Sequence, residues 1–245
     1  MPFISRLRAV AEEDKNRAIK QLIGNSTPSF DFFLMATLAI LMATFGMLLD
    51  SAAIVIGSML IAPILYPILS LSLGISLSDY KLIGRSFYTL LKAVAIGIVS
   101  GAVATLFFSN GEYLTGEILA RAQPNLIFFV VAVISGVAVS YALVKPNLSE
   151  TLPGVAVSVA LIPPLAAIGI GIAHVNWEVI SGASILFIIN VIGIVFASMI
   201  SFSLMDVRGK QKVAEKAIRK EDRKVQEEKE KVEQIEIKDA LEKQE

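Results

Sequence analysis

Residues 32–77 contain one charged side chain, Asp50. Wound as a single helix, that stretch would be roughly 69 Å long at 1.5 Å per residue, more than twice the ~30 Å hydrocarbon core of a bilayer. The run must therefore fold back on itself, and Asp50 with Ser51 is the only polar place to turn. Both residue types cap helices well by accepting the orphan amides of a following first turn. The same constraint governs most of the chain. Six apolar runs, 30–49, 52–77, 84–108, 125–144, 152–173 and 179–205, each reach the length of about 20 residues that a crossing needs. Hydrophobic residues make up 55% of the 245, and mean hydropathy is +0.68, well above a soluble domain. The net charge of zero averages an oily centre and two salty ends. The sequence predicts an all-α integral membrane protein.

Composition also excludes chemistry. With no cysteine, disulfides, thiolate catalysis and thiol-based metal sites are ruled out. His174 is the only histidine, so a histidine-rich metal centre is ruled out too. Neither a cofactor nor a nucleic acid is expected. A mostly polar segment of 29 residues precedes the first apolar run, which argues against a signal peptide.

Basic residues set the expected topology. Arg6, Arg8, Lys15, Arg17 and Lys20 precede the first run, Lys81 and Arg85 follow the second, Lys145 follows the fourth, and the tail holds twelve Lys or Arg. The alternate connections hold Asp50, then Arg121 alone, then no Lys or Arg in 174–178. That alternation predicts six crossings with both termini cytoplasmic, in a prokaryotic cell membrane. Three crossings per half turn the second half over, so 30–108 and 125–205 are expected as inverted repeats.

A repeated segment supports the halves. DSAAIVIGSMLIAPILYPILS from Asp50 aligns at a shift of 100 with ETLPGVAVSVALIPPLAAIGI from Glu150. Asp50 then falls on Glu150, Ser58 on Ser158 and Pro63 on Pro163, with Pro67 and Pro164 close by. Proline inside a membrane-length helix removes a donor and frees a carbonyl. In hydrocarbon that carbonyl needs a protein partner or a watery cavity. Helices two and five are accordingly expected to be broken at these prolines and to face each other, which is where a solute or ion site is sought.

The residues DSAAIVIGSMLIAPILYPILSLSLG from Asp50 and LPGVAVSVALIPPLAAIGIGIA from Leu152 resemble a bacterial and archaeal membrane family known as domain of unknown function 389, also called the uncharacterised hydrophobic domain. The resemblance covers about 30–205 and excludes the tail. It implies the membrane fold region and no activity, substrate or catalytic residue. Many family members look as though they carry a further soluble N-terminal domain, where this chain has a short segment.

The candidate path residues are Asp50, Ser58, Pro63, Pro67, Glu150, Ser158, Pro163, Pro164 and Asn190. Asp50 and Glu150 read either as caps of the helices that follow them or as polar gates at the two mouths of a path. The prolines read as packing kinks or as a site served by the hydroxyls of Ser58 and Ser158. Asn190, near the middle of the last run, hydrogen-bonds across helices or lines the path. Lys92 is expected to snorkel to the inner interface, Trp177 to anchor at the outer one, and Gly57, Gly74, Gly154, Gly169 and Gly171 to be close-packing contacts. Residues 1–29 read as an amphipathic segment on the inner membrane surface. Residues 206–245 read as a charged helix whose stripe of Ile218, Val225 and Val232 is too thin for a strong coiled coil. Homo-oligomerisation is an expectation on that stripe and the glycine-rich helices. The functional expectation is a transporter or channel for a small solute or monovalent ion, and not an enzyme. The alternative is a membrane scaffold or signalling protein acting through its charged tail.

Overall fold

Ten α-helices and one 3-10 turn, with no strand, make up the residues that the computed structural model describes, namely 10–109, 111, 113–145, 148 and 161–242. In chain order they are α1 (Glu12–Asn25), α2 (Phe30–Leu48), α3 (Ala52–Ile61), α4 (Leu65–Leu77), α5 (Tyr80–Phe108), α6 (Gly116–Ala122), α7 (Leu126–Val144), α8 (Ile162–Ala173), α9 (Trp177–Leu204) and α10 (Gln211–Glu242). Helices α2, α5, α7 and α9 are each long and apolar enough to cross a bilayer, and α3 with α4 qualifies as a pair bent by 50°. Of the expected fifth crossing, residues 152–160 lie outside the described residues. Its remainder, α8, has 12 residues. The short helix α6 falls where the sequence led us to expect only a loop.

Local chemistry starts these helices. Ser29, Asp79, Thr115, Asn125 and Asn176 each accept a backbone N–H from the first turn that follows, heading α2, α5, α6, α7 and α9. One turn type ends several of them. The amides of Asp50, Ser78 and Val175 donate to the carbonyls of Met47, Ile75 and Ile172, and those of Ser51, Asp79 and Asn176 to the carbonyls of Gly46, Gly74 and Gly171. This is the Schellman arrangement, and it holds Asp50, Ser78 and Val175 at positive φ of 51°, 54° and 54°. Each of the three glycines lets the next helix return closely. A Cβ there would lie 2.9 Å from Val55, Ile83 or Ile180 respectively. Three tight helical hairpins, α2–α3, α4–α5 and α8–α9, thus share one pattern: glycine, a left-handed residue four positions on, a branched aliphatic five positions after that.

At the centre lies α8, with every residue from Ile162 to Gly171 buried. It packs on α5, α9 and α2, with α6 and α3 touching it at the edges. Helix α4 packs in turn on α5 and α9. The seam between α4 and α9 is hydrogen-bonded: Ser72 Oγ donates to Val195 O at 3.1 Å, and Ser76 Oγ reaches Met199 O at 3.5 Å. Both partners advance by one turn together, so α4 and α9 run in the same sense. At the seam between α8 and α5, Gly169 lies so close that a Cβ would be 2.9 Å from Ile98 O. Gly169 and Gly171 are close-packing positions as expected, whereas Gly57 has only Met42 within 4 Å, at 3.9 Å.

Helices α1 and α10 run side by side at the C-terminal end of α4. Lys210 pairs with Glu12 at one end of the contact, and Gly24 lies against Glu221 at the other. The apolar face of α1, including Ala18, Ile19, Leu22 and Ile23, is buried against α10, α4 and α7 rather than left open. Among the described residues of the tail, the beginning has such cover. Ala214, Ala217 and Ile218 are buried, while Val232 and Ile235 are 49% and 59% exposed.

Candidate functional site

The first proline break is built by backbone rules. Ala62 takes an extended conformation (φ −81°, ψ 124°), as steric conflict with the ring of a following proline demands. Helix α3 therefore stops at Ile61. Pro63 O then accepts the amide of Tyr66 at 3.1 Å as α4 begins. Pro67 is the third residue of α4, where its missing N–H costs nothing because first-turn amides have no intrahelical acceptor. Pro67 thus opens a helix rather than kinking one. Among the described residues no side chain caps α4. Ser58, fully buried one turn before the break, donates its proton to Val55 O at 2.6 Å. Its oxygen lone pairs remain for accepting.

The start of α8 repeats part of this. Pro163 and Pro164 are the second and third residues of α8, both buried, and no side chain caps that helix. Glu150 and Ser158 lie outside the described residues. The hairpin turns near the two proline segments recur at a different spacing from the alignment drawn on sequence. The turns at Gly74, Ser78 and Asp79 match those at Gly171, Val175 and Asn176, a shift of 97 rather than 100. By that shift Pro67, not Pro63, corresponds to Pro164, and Ile68 falls on Leu165 rather than on Ile168. The two shifts differ by three positions, nearly a full helical turn.

Asp50 does not cap the helix after it. It sits in the left-handed turn that ends α2, and its carboxylate accepts the amide of Glu117 at 2.9 Å, so it caps α6 across the loop. Ser51, at the start of α3, makes no side-chain cap bond. Thr115 strengthens the same junction, its Oγ1 donating to Met47 O at 2.7 Å. Asn190 is 2% exposed at mid-helix in α9. Lys92 is exposed, with its ammonium 4.8 Å from the centre of the Phe33 ring. Trp177 is 75% exposed at the start of α9. Asp50 lies on the α6 side of the bundle, about 18 Å of helix from the break at residues 62–64, so the described candidates do not form one contact set.

Three features escaped the sequence reading. At the α6 end, the Tyr113 and His174 rings stack at 3.6 Å, His174 Nε2 meets Ser109 Oγ at 2.9 Å, and Asn176 donates to Tyr113 Oη at 2.8 Å. At the opposite end, a cavity of about 600 Å³ opens between the C-terminal ends of α4 and α9, lined by Ser76, Ser78, Ser203 and Gln211 among apolar neighbours. Gln211, from the tail, donates to Leu77 O at its rim. The third is the ion-pair junction of α5 with the tail. Only the cavity left a local signal, the serines at 70, 72, 76 and 78. Among the described residues no group of acids, histidines or cysteines could hold a metal ion.

The sequence profile of the family described as Domain of unknown function (DUF389) matches residues 59–196. An uncharacterized protein of the archaeon Methanocaldococcus jannaschii is 33% identical over 202 residues, covering 78% of this chain and 61% of that relative. The chain therefore spans about three-fifths of the relative's length. No solved structure matches.

Proposed function

The chain belongs to the family of domain of unknown function 389, and on that premise we propose that it moves a small solute or monovalent ion across a prokaryotic cell membrane, between its two proline-interrupted segments. The observation that carries the reading is the break at residues 62–64 within an otherwise apolar span, one turn after the buried Ser58, since a helix end frees backbone groups that a continuous helix would bond. In hydrocarbon such groups persist only against protein or a polar path, and matched breaks in two halves are where transporters hold their cargo.

An inverted repeat of six crossings underlies this reading, and several contacts support it. Helices α2 and α7 both have 19 residues. The pairs α4 with α8 and α5 with α9 begin at the shift of 97. By that shift the contact of Gly169 with Ile98 is the counterpart of the contact of Ser72 with Val195, the halves being exchanged. Since α4 folds back into α5 yet runs alongside α9 in the same sense, α5 and α9 run in opposite senses, as inverted copies must. The tail and α1 meet on the side of the bundle away from Asp50 and α6. Even crossing numbers put both termini on one side in this way, and the basic residues of that side mark it as cytoplasmic.

In this reading the carbonyls near Pro63, the hydroxyls of Ser58 and Ser158 and the Asn190 amide replace part of the cargo's water, with Asp50 and Glu150 at the mouths. The serine-lined cavity between α4 and α9 is its inner vestibule. Replacement has to be nearly complete, because each buried polar group left unpaired costs roughly 1–3 kcal/mol. The test is flux or binding in liposomes across a panel of small neutral solutes and monovalent ions. Ser58→Ala with Ser158→Ala, and separately Asp50→Asn with Glu150→Gln, are expected to lower flux while the fold persists. Normal movement of every active solute by both double mutants would remove the site. A second reading, a scaffold or homo-oligomer assembled through the tail, is favoured by the exposed Val232 and Ile235. Truncation after residue 222 that changes the mass in detergent but not flux would support it.

A further inference from the structure

Where the tail meets the membrane helices, one carboxylate faces two cations. Asp222 Oδ1 lies 3.0 Å from Arg85 Nη2, and its Oδ2 lies 3.8 Å from Lys81 Nζ. The Arg85 side chain is 12% exposed, against 45% for Asp222 and 65% for Lys81. Arg85 Nη2 also donates to Thr27 Oγ1 at 3.1 Å, whose own proton goes to Ile23 O. Arg85 Nη1 is buried without a hydrogen-bond partner. Glu221, the nearest other acid on α10, is paired with Lys224.

This junction is built for more negative charge than it holds. A guanidinium presents a rigid fork of donors suited to two oxygens at once, and Asp222 engages only one tine. A buried donor left unpaired is costly, so the open tine marks a place where a second oxygen would bind favourably. A tetrahedral phosphoryl group supplies that oxygen, a further one for Lys81 and up to two charges for the two cations. Helix α5 has 29 residues, about 43 Å, so its first two turns, carrying Lys81 and Arg85, extend beyond a hydrocarbon core of about 30 Å to headgroup level.

We propose that Arg85 and Lys81 form a phosphoryl-binding site in which Asp222 of the tail is an internal stand-in, and that a phosphate-bearing ligand displaces the tail. The chemistry is shared by free phosphate and by the phosphomonoester headgroup of an anionic lipid. The proposal is independent of the transport path and stands if that path fails.

The experiment uses the full chain in nanodiscs. One arm titrates inorganic phosphate against phosphatidylcholine discs; the other replaces part of the lipid with phosphatidic acid. Both read ligand affinity and the rate at which trypsin cuts the tail. If the closed tail occupies the site about nine-tenths of the time, Asp222→Asn raises affinity about tenfold. Arg85→Lys, which keeps the charge but loses the fork, and Lys81→Gln, at an exposed position, both weaken it. In the wild type, ligand speeds tail cleavage. A response in the phosphate arm alone identifies a free anion, and one in the lipid arm alone a headgroup. Equal affinity of wild type, Asp222→Asn and Lys81→Gln in both arms, or binding with no change in tail cleavage, overturns the proposal and leaves the trio as a structural clamp.

Discussion

One substitution made at two glycines should have clearly different effects. In a helix, alanine is favoured over glycine by about 0.8–1.0 kcal/mol. At Gly84, exposed on α5 with nothing within 4 Å of a new Cβ, that gain is unopposed. At Gly169 the same Cβ would meet Ala102 N at 2.8 Å, Ile98 O at 2.9 Å and Gly101 C at 3.0 Å. All three are backbone atoms of α5, so no rotamer change relieves them. Helix α8 would have to move outward, loosening Ala166 and Ile170, both fully buried. Overpacking of this kind costs about 1–3 kcal/mol, enough to cancel or reverse the helix gain. Gly84→Ala should therefore raise stability by about 1 kcal/mol, and Gly169→Ala should lie about 1–3 kcal/mol below it. Equilibrium unfolding in mixed detergent micelles, followed by circular dichroism, reads both. A Gly169→Ala protein as stable as Gly84→Ala would refute the close seam between α8 and α5, and with it the reciprocal contacts behind the inverted repeat.

Glu12 is held at a pKa of about 2 by its hydrogen bond from Lys210 and then by that from Lys15. Because the folded value is depressed, its contribution is complete above the ordinary value near 4.5 and is lost as pH falls from there toward 2; tail proteolysis should rise over that window, and Glu12→Gln should abolish the dependence. Pro67→Ala and Pro164→Ala, at first-turn positions, are expected to change stability by less than about 1 kcal/mol, whereas a helix-interior proline would have been costing about 3 kcal/mol and its removal would stabilise markedly. Asp50→Ala should cost about 1 kcal/mol by removing the acceptor of the Glu117 amide in the first turn of α6, while Asp50→Asn, which keeps an acceptor, should cost clearly less. Thermal unfolding separates these cases.

How much of this was legible beforehand follows from the range of each interaction. The apolar runs, the turn at Asp50 and Ser51 and the interruption at Pro63 are local. A proline restricts its neighbours, and 46 apolar residues cannot cross a bilayer once, whatever surrounds them. The glycine hairpins were equally local and could have been read: GMLLDSAAIV, GISLSDYKLI and GIAHVNWEVI share one spacing, hidden because only the glycine and the branched residue recur. Family membership was legible for the same reason, since it resides in contiguous motifs.

Tertiary structure decided what depends on distant partners. The sequence made Asp50 a cap of the helix that follows it; packing of α6 against the α2–α3 turn gave it Glu117 instead, 67 positions away. It made the amphipathic α1 a candidate for lipid, and the tail covered that face first. It aligned the two proline segments at 100, whereas the matching turns at Ser78 and Val175 stand 97 apart, and a proline match carries less register information than a closed hydrogen-bonded turn. Arg85 and Asp222 lie 137 positions apart, with nothing in either segment to point to the other. The sequence determined which segments are apolar and where they break, since transfer from water and backbone sterics act residue by residue. Which faces meet, and which charge finds which partner, was decided by packing alone, because those energies exist only between elements already brought together.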